Sequence, residues 1–289
     1  MNAMSKRLFG IGAAAVMLAS GAALPASAEV VSPALATTAE LYQTEGLAKP
    51  KIVKTVKGQA AVKLTWNKVA KATGYKVFIK TASGWKCKAV IKSGSTLSTK
   101  IKGLNSKTKY QFKVQAYKKS KGKTYYSKYS TAVTVETKYG LGTNNFTSKN
   151  YDIRFSSKKW EAGLLGDAAN GIFVMSYKGD DNIPADSAGL MIMAVERPEE
   201  TKDKTLEEYI DEALKEVPSD VKVELLGYQT IDGYKFAVVD EQEDDASSIE
   251  FIGFTDKNMY AVIAPYVSDY KDASLKLVKS ALKKMDIKK

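Results

Sequence analysis

Apolar and polar positions alternate with a period of two through the first half of the chain. Val62, Leu64 and Trp66 alternate with Lys63 and Thr65. Tyr75, Val77 and Ile79 alternate with Lys76, Phe78 and Lys80, and Tyr110, Phe112, Val114 and Ala116 with Gln111, Lys113 and Gln115. Side chains on a strand point to opposite faces in turn, so each run predicts a strand with one buried and one solvated face. Turn residues at Thr73-Gly74, Ser83-Gly84, Ser93-Gly94 and Lys121-Gly122 separate the runs. Several short strands at that spacing predict an antiparallel β-sandwich over residues 48–138.

The second half mixes two periods. Leu206, Tyr209, Ile210, Ala213, Leu214 and Val217 recur as one helical stripe. Thr205 and Glu208 have the spacing of a capping box, and Pro218 ends the stretch. A second helix is predicted over 270–285, burying Leu275, Val278, Leu282 and Met285. Strands are predicted at 153–155, 171–177, 190–195, 221–228, 234–241, 248–255 and 259–264. Asp232-Gly233 and Asp256-Lys257-Asn258 supply hairpin turns between neighbours. The expected class for 146–289 is α+β, an antiparallel sheet with helices packed on it. Tyr139 to Asn145, with two glycines and two asparagines, reads as a linker between two units.

Particular segments of the first half resemble the fibronectin type III domain in its bacterial form. They are VKLTW from Val62, TGYKVFIK from Thr73, GLNSKTKYQFKVQAY from Gly103 and the closing SKYSTAVTVET from Ser127. Leu104 and Tyr110 are similar to the tyrosine corner, in which a phenol anchors a loop through backbone. The resemblance implies an immunoglobulin-like sandwich of seven strands acting as a spacer or binding module. The second half resembles the PsbP and DcrB superfamily in element order: YDIRFSSKKW from Tyr151, the TLEEYIDEALKEV helix, the hairpin from Leu225, the meander from Glu250 to Tyr266 and a closing helix. That resemblance implies a non-catalytic accessory or binding protein and transfers no binding residue.

Composition adds a location. Lys6 and Arg7, the apolar stretch Leu8 to Leu24 and Ala26-Ser27-Ala28 form the pattern of a secretory signal peptide, residues 1–28, cleaved before Glu29. A flexible leader, 29–47, rich in Ala, Thr and Ser, precedes the sandwich. The expected location is secreted, extracellular or associated with the cell wall. No later stretch is long and apolar enough for an integral membrane segment. Cys87 is the only cysteine, so no intrachain disulfide forms. The chain has no histidine, which removes the usual general base and the usual zinc ligand.

The formal net charge of +12 hides a division. From Lys49 to Lys138 there are 23 lysines and a single acid, Glu136, a net of +22. From Asn145 to Lys289 there are 19 basic residues against 28 acidic ones, a net of −9. On the sandwich, Lys76, Phe78, Lys80, Lys113 and Tyr117 are out of phase with the core and share an outward face if their strands adjoin. Such a patch suits anionic cell-wall or extracellular polymers, since each ammonium can neutralise a phosphate or carboxylate. The alternative is a solvated basic surface. Nucleic acid is disfavoured by export, and protein partners stay open.

Asp240, Glu241, Glu243, Asp244 and Asp245 are an acidic run that could supply oxygens to a hard cation such as calcium. The EF-hand glycine and distal Glu are missing, and the competing reading is a solvated hairpin tip. Paired carboxylates could serve a secreted carbohydrate hydrolase with the sandwich as spacer. The lysines beside Cys87 could activate its thiol, against the reading of an inert strand cysteine. With no nucleophile elbow, phosphate loop or metal-type cysteine pair, the expectation is a binding protein and not an enzyme.

Overall fold

The computed structural model describes residues 46–166, 172–243 and 246–288. Residues 1–28, expected as a signal peptide, and nearly all of 29–47, expected as a leader, therefore lie outside the described residues. Leu47, at the leader's end, is already buried in the sandwich core.

Residues 52–136 form two facing sheets. One contains β1 (Ile52–Lys57), β2 (Ala61–Trp66) and β5 (Ser98–Lys102) in the order β1-β2-β5. The other contains β3 (Gly74–Thr81), β4 (Gly84–Ile91), β6 (Lys109–Ser120), β7 (Lys123–Tyr126) and β8 (Val133–Glu136). Its order is β4-β3-β6-β7, with β8 also paired to β6. The inward set of the alternation fills the space between them: Val62, Leu64, Trp66, Tyr75, Val77, Phe112, Val114 and Ala116 are at most 1% exposed. Each large apolar side chain buried this way contributes about 2 kcal/mol. The Asn105 N–H donates to the Tyr110 hydroxyl at 2.8 Å, the tyrosine corner expected from the sequence.

The last strand is broken in two, which the expected seven-strand pattern did not anticipate. Between β7 and β8 the Ser127 and Ser130 N–H groups still donate to the Ala116 and Val114 carbonyls of β6 at 2.9 and 2.8 Å, but serine hydroxyls stand in for the opposing ladder carbonyls. The Ala116 and Val114 N–H groups donate to the hydroxyls of Ser127 and Ser130 at 3.0 and 2.9 Å. The bulged-out segment carries Tyr129 onto the outer face of the sheet.

The second half begins with β9 (Gly140–Leu141), β10 (Asn145–Thr147) and β11 (Tyr151–Arg154), which join β19 (Met285–Ile287) in the order β19-β11-β10-β9. Residues 139–145, expected as a linker, thus carry paired strand and lie against the sandwich. The Ser106 N–H donates to Asn145 Oδ1 at 2.9 Å, Asn145 Nδ2 donates to the Ser106 carbonyl at 3.1 Å, and the Thr143 N–H to the Leu104 carbonyl at 3.0 Å. Gly142 permits this approach, since a Cβ there would meet the Ser106 nitrogen at 2.4 Å.

The main sheet contains β12 (Trp160–Leu165), β13 (Ile172–Tyr177), β14 (Gly189–Glu196), β15 (Lys222–Ile231), β16 (Tyr234–Glu243), β17 (Ala246–Phe254) and β18 (Asn258–Tyr266). Its order is β12-β13-β14-β18-β17-β16-β15, antiparallel throughout. Alternation along β16 sends Ala237 and Val239 to one face and Phe236 and Val238 to the other. Helix α1 (Leu206–Lys215) covers the first, with Thr205 and Glu208 closing the capping box. Helix α2 (Lys271–Leu282) covers the second. Met285, expected at the end of that helix, is instead buried in β19.

Candidate polyanion-binding face

Strands β3 and β6 adjoin, with Phe78 directly opposite Lys113 and Lys76 opposite Gln115. Lys76, Phe78, Lys80 and Lys113 therefore stand on one outward face, as the alternation predicts. Strand β4 adds Trp85 opposite Lys80 and Cys87 opposite Phe78. The irregular segment after β7 adds Tyr129, and β7 itself adds Tyr126. An outer sheet face is usually polar, but this one carries four partly exposed aromatic rings between its lysines.

The lysines are held by the rings. Lys113 Nζ lies 3.9 Å from the Trp85 ring centre and 5.2 Å from that of Tyr129, both within cation–π range. Phe78 meets Tyr129 edge to face, ring centres 5.1 Å apart at 88°. Lys76 Nζ sits 4.5 Å from the Tyr126 ring centre and donates to its hydroxyl at 2.9 Å. Glu136, the one acid between Lys49 and Lys138, is on β8 and accepts from Lys107 at 2.9 Å. Two ammonium groups are thus fixed in place by neutral partners, and the sandwich offers them no carboxylate.

Tyr117 does not join this surface. It shares the face, opposite Gly74, but is only 5% exposed. Its ring lies across Gly74, where a Cβ would come within 2.4 Å of the Tyr117 hydroxyl, and that hydroxyl donates to the Ile91 carbonyl at 3.2 Å. Cys87 is exposed, and its thiol pKa is raised because burial outweighs the nearby Lys76 charge. A thiol shifted in that direction is poorly nucleophilic.

The acidic run of the second half divides. Asp240 and Glu241 are buried in β16 at 1% and 0% exposure, so neither belongs to a solvated hairpin tip. Glu243 ends β16, and Asp244 and Asp245 lie outside the described residues. The Asp240 carboxylate accepts from Lys271 of α2, from the Tyr266 hydroxyl at 2.7 Å and from Gln242 at 2.8 Å. Burial alone would raise its pKa, but those three hydrogen bonds together hold it below the ordinary aspartate value. A cation would have to displace that ammonium. Among the described residues no group of three or more acidic or cysteine side chains is arranged to hold a metal ion.

Two adjoining clefts of about 310 and 410 Å³ flank the β17–β18 turn and share Asp256, Lys257 and Lys288. The larger one also holds Glu196. Glu196 and Asp256 are both exposed. Among the described residues no helix is long and apolar enough to cross a membrane.

Alternation revealed the four strand residues of the face, but Trp85, Tyr126 and Tyr129 escaped it. Trp85 was within reach: the Ser83-Gly84 turn fixes a hairpin register that sets it opposite Lys80. Tyr129 was not, because its position depends on serine hydroxyls replacing part of a strand.

Residues 49–136 match the family model of the fibronectin type III domain. Among solved structures, the fibronectin type III domain of human fibronectin type III domain containing protein 3 is 28% identical, with 32% of this chain and 84% of that one covered at a TM-score of 0.25. A two-domain fibronectin type III segment of chicken tenascin is 14% identical, covering 74% of this chain and 97% of that one at a TM-score of 0.28. The cyanobacterial PsbP of Synechocystis is 13% identical, covering 48% and 86% at a TM-score of 0.31. The chain matches no curated protein sequence. Fibronectin type III domains generally mediate interactions in extracellular proteins and are typically not catalytic.

Proposed function

We propose that this is an exported, surface-associated binding protein without catalytic activity, whose sandwich engages anionic polymers of the cell wall or extracellular matrix. The observation that carries the reading is the pair of ammonium groups, Lys76 and Lys113, held in place by aromatic rings in a domain with only one acid. Fixed cations lose little conformational freedom when an anion arrives, so they bind better than the same charges on mobile stems. Exposed Lys80 extends the cationic row along β3. Export is supported by the basic, apolar and Ala-Ser-Ala pattern of residues 1–28. The second half, PsbP-like in element order, is the accessory unit that this face positions near the polymer.

The test is the affinity of the chain from Glu29 onward for teichoic acid, heparin and a neutral glycan across a salt series. Binding to the two anionic polymers falls as salt rises, because counterion release drives it. Lys76→Glu/Lys113→Glu weakens binding about tenfold or more, as expected when contacts to two anionic groups are lost. Lys63→Glu/Lys100→Glu makes the same charge change on the opposite sheet and has the smaller effect. Equal losses in the two variants, or equal binding of the neutral glycan at every salt concentration, contradict the proposal.

A further inference from the structure

The geometry points to an acidic polysaccharide, a polymer of sugar rings bearing carboxylates, as the ligand of the β3–β4–β6 face. This inference rests on the polyanion reading above and narrows it. Charge alone would call only for exposed lysines, which the opposite sheet also supplies: Lys63 and Lys100 are exposed cross-strand partners on β2 and β5. What distinguishes the β3–β4–β6 face is the interleaving of rings with cations. Phe78, Trp85, Tyr126 and Tyr129 surround Lys76 and Lys113, and no core requirement puts them on the solvent side.

The two kinds of group are coupled. In the free protein the Lys113 ammonium lies over the Trp85 ring, and the Lys76 ammonium over that of Tyr126. An arriving anion pairs with the ammonium where the ring holds it, beside the part of the ring that the ammonium leaves uncovered. The ligand that gains from both contacts carries an anion beside a flat apolar C–H face, as a uronic acid pyranose does. Polyphosphate supplies the charge without the face, and a neutral glucan the face without the charge. A nucleic-acid base needs a broad exposed platform. Here each of the four rings is partly covered by its neighbours and fits the smaller apolar patch of a sugar better.

The experiment is calorimetric titration of the mature chain with four probes of matched charge or length: polygalacturonate, polyphosphate, dextran and single-stranded DNA. It is run at low and at near-physiological salt. Polygalacturonate is expected to bind about tenfold more tightly than polyphosphate, with the preference growing as salt rises and screens the shared charge contribution. Trp85→Ala lowers polygalacturonate affinity about tenfold and changes polyphosphate affinity less than about twofold. Tyr129→Ala, in the irregular segment outside the strand ladder, shows the same selective loss and guards against misfolding of the Trp85 variant. Lys113→Ala weakens both polymers. If polyphosphate matches polygalacturonate and neither ring variant discriminates, ring recognition is wrong while polyanion binding stands. Tighter binding of the DNA also overturns the assignment to a polysaccharide. If no polyanion binds even at low salt, the polyanion reading itself fails and this inference falls with it.

Discussion

The two halves of the chain differ in the counterions they give their lysines. In the second half basic groups are matched to carboxylates within the fold: Lys271 with Asp240, Lys288 with Asp152, Lys204 with Glu212, Lys235 with Glu207, and Arg154 with Asp286. In the sandwich one lysine, Lys107, finds the one acid, while Lys76 and Lys113 rest on aromatic rings. The difference teaches where each half satisfies its charge. The second half sets carboxylates beside these basic groups, whereas Lys76 and Lys113 rest on neutral rings in a domain of net +22 and keep their electrostatic attraction available to a partner.

The largest expected effect separates a lysine that holds the fold from one that serves the surface. Lys271→Met leaves the buried Asp240 carboxylate without its cation and is expected to destabilise the second half by about 3 kcal/mol in denaturant unfolding. A loss below about 1 kcal/mol would show that Asp240 does not depend on its partner. The same pair has a pH signature. With its pKa held below the ordinary value, Asp240 contributes stability above about pH 4 that is lost as pH falls through the folded-state value. The stability gap between the native chain and Asp240→Asn therefore narrows on the acid side and stays level from about pH 5 to 8. Lys271, with its pKa raised chiefly by the Asp240 hydrogen bond, stays charged through that window.

Next in size is the junction that joins the halves. Gly142→Ala drives a Cβ into the Ser106 and Asn105 backbone and is expected to cost about 2 kcal/mol. The cost is predicted to fall on the contact between the halves, so calorimetry resolves two transitions more widely spaced than in the native chain, and proteases cut within residues 139–145. An unchanged melting profile would show that the junction hydrogen bonds do not couple the two units. The smallest effect is that of Lys113→Met, expected to cost about 0.5–1 kcal/mol, the worth of an exposed cation–π contact. A cost near that of Lys271→Met would make Lys113 a structural residue and erase the contrast between the halves.

Sequence periodicity reached as far as local physics dictates the outcome. The sandwich strands, the capping box at Thr205 and the phase of Lys76, Phe78, Lys80 and Lys113 follow from side-chain alternation and short-range hydrogen bonds. Strand β12, with the sequence WEAGLL, was not predicted because its apolar residues do not alternate. Strands β9, β10 and β19 are too short to show a period. Met285 continues the helical spacing of Leu275, Val278 and Leu282, yet α2 stops at Leu282 and the chain turns to pair with β11. Asp240 looked like part of an exposed acidic turn because the group that neutralises it is 31 residues away on α2. Tyr117 kept the predicted phase but lost its exposure to Gly74, whose missing side chain lets the ring lie flat on the sheet.

The most direct test of the central claim is amide chemical-shift mapping of the chain from Glu29 onward during titration with an anionic polysaccharide. Perturbations concentrated in β3, β4, β6 and residues 124–130, strongest around Lys76, Trp85, Lys113 and Tyr129 and abolished in Lys76→Glu/Lys113→Glu, are the predicted result. Perturbations that spread evenly over all exposed lysines, or that centre on β1, β2 and β5 or on the second half, would contradict it.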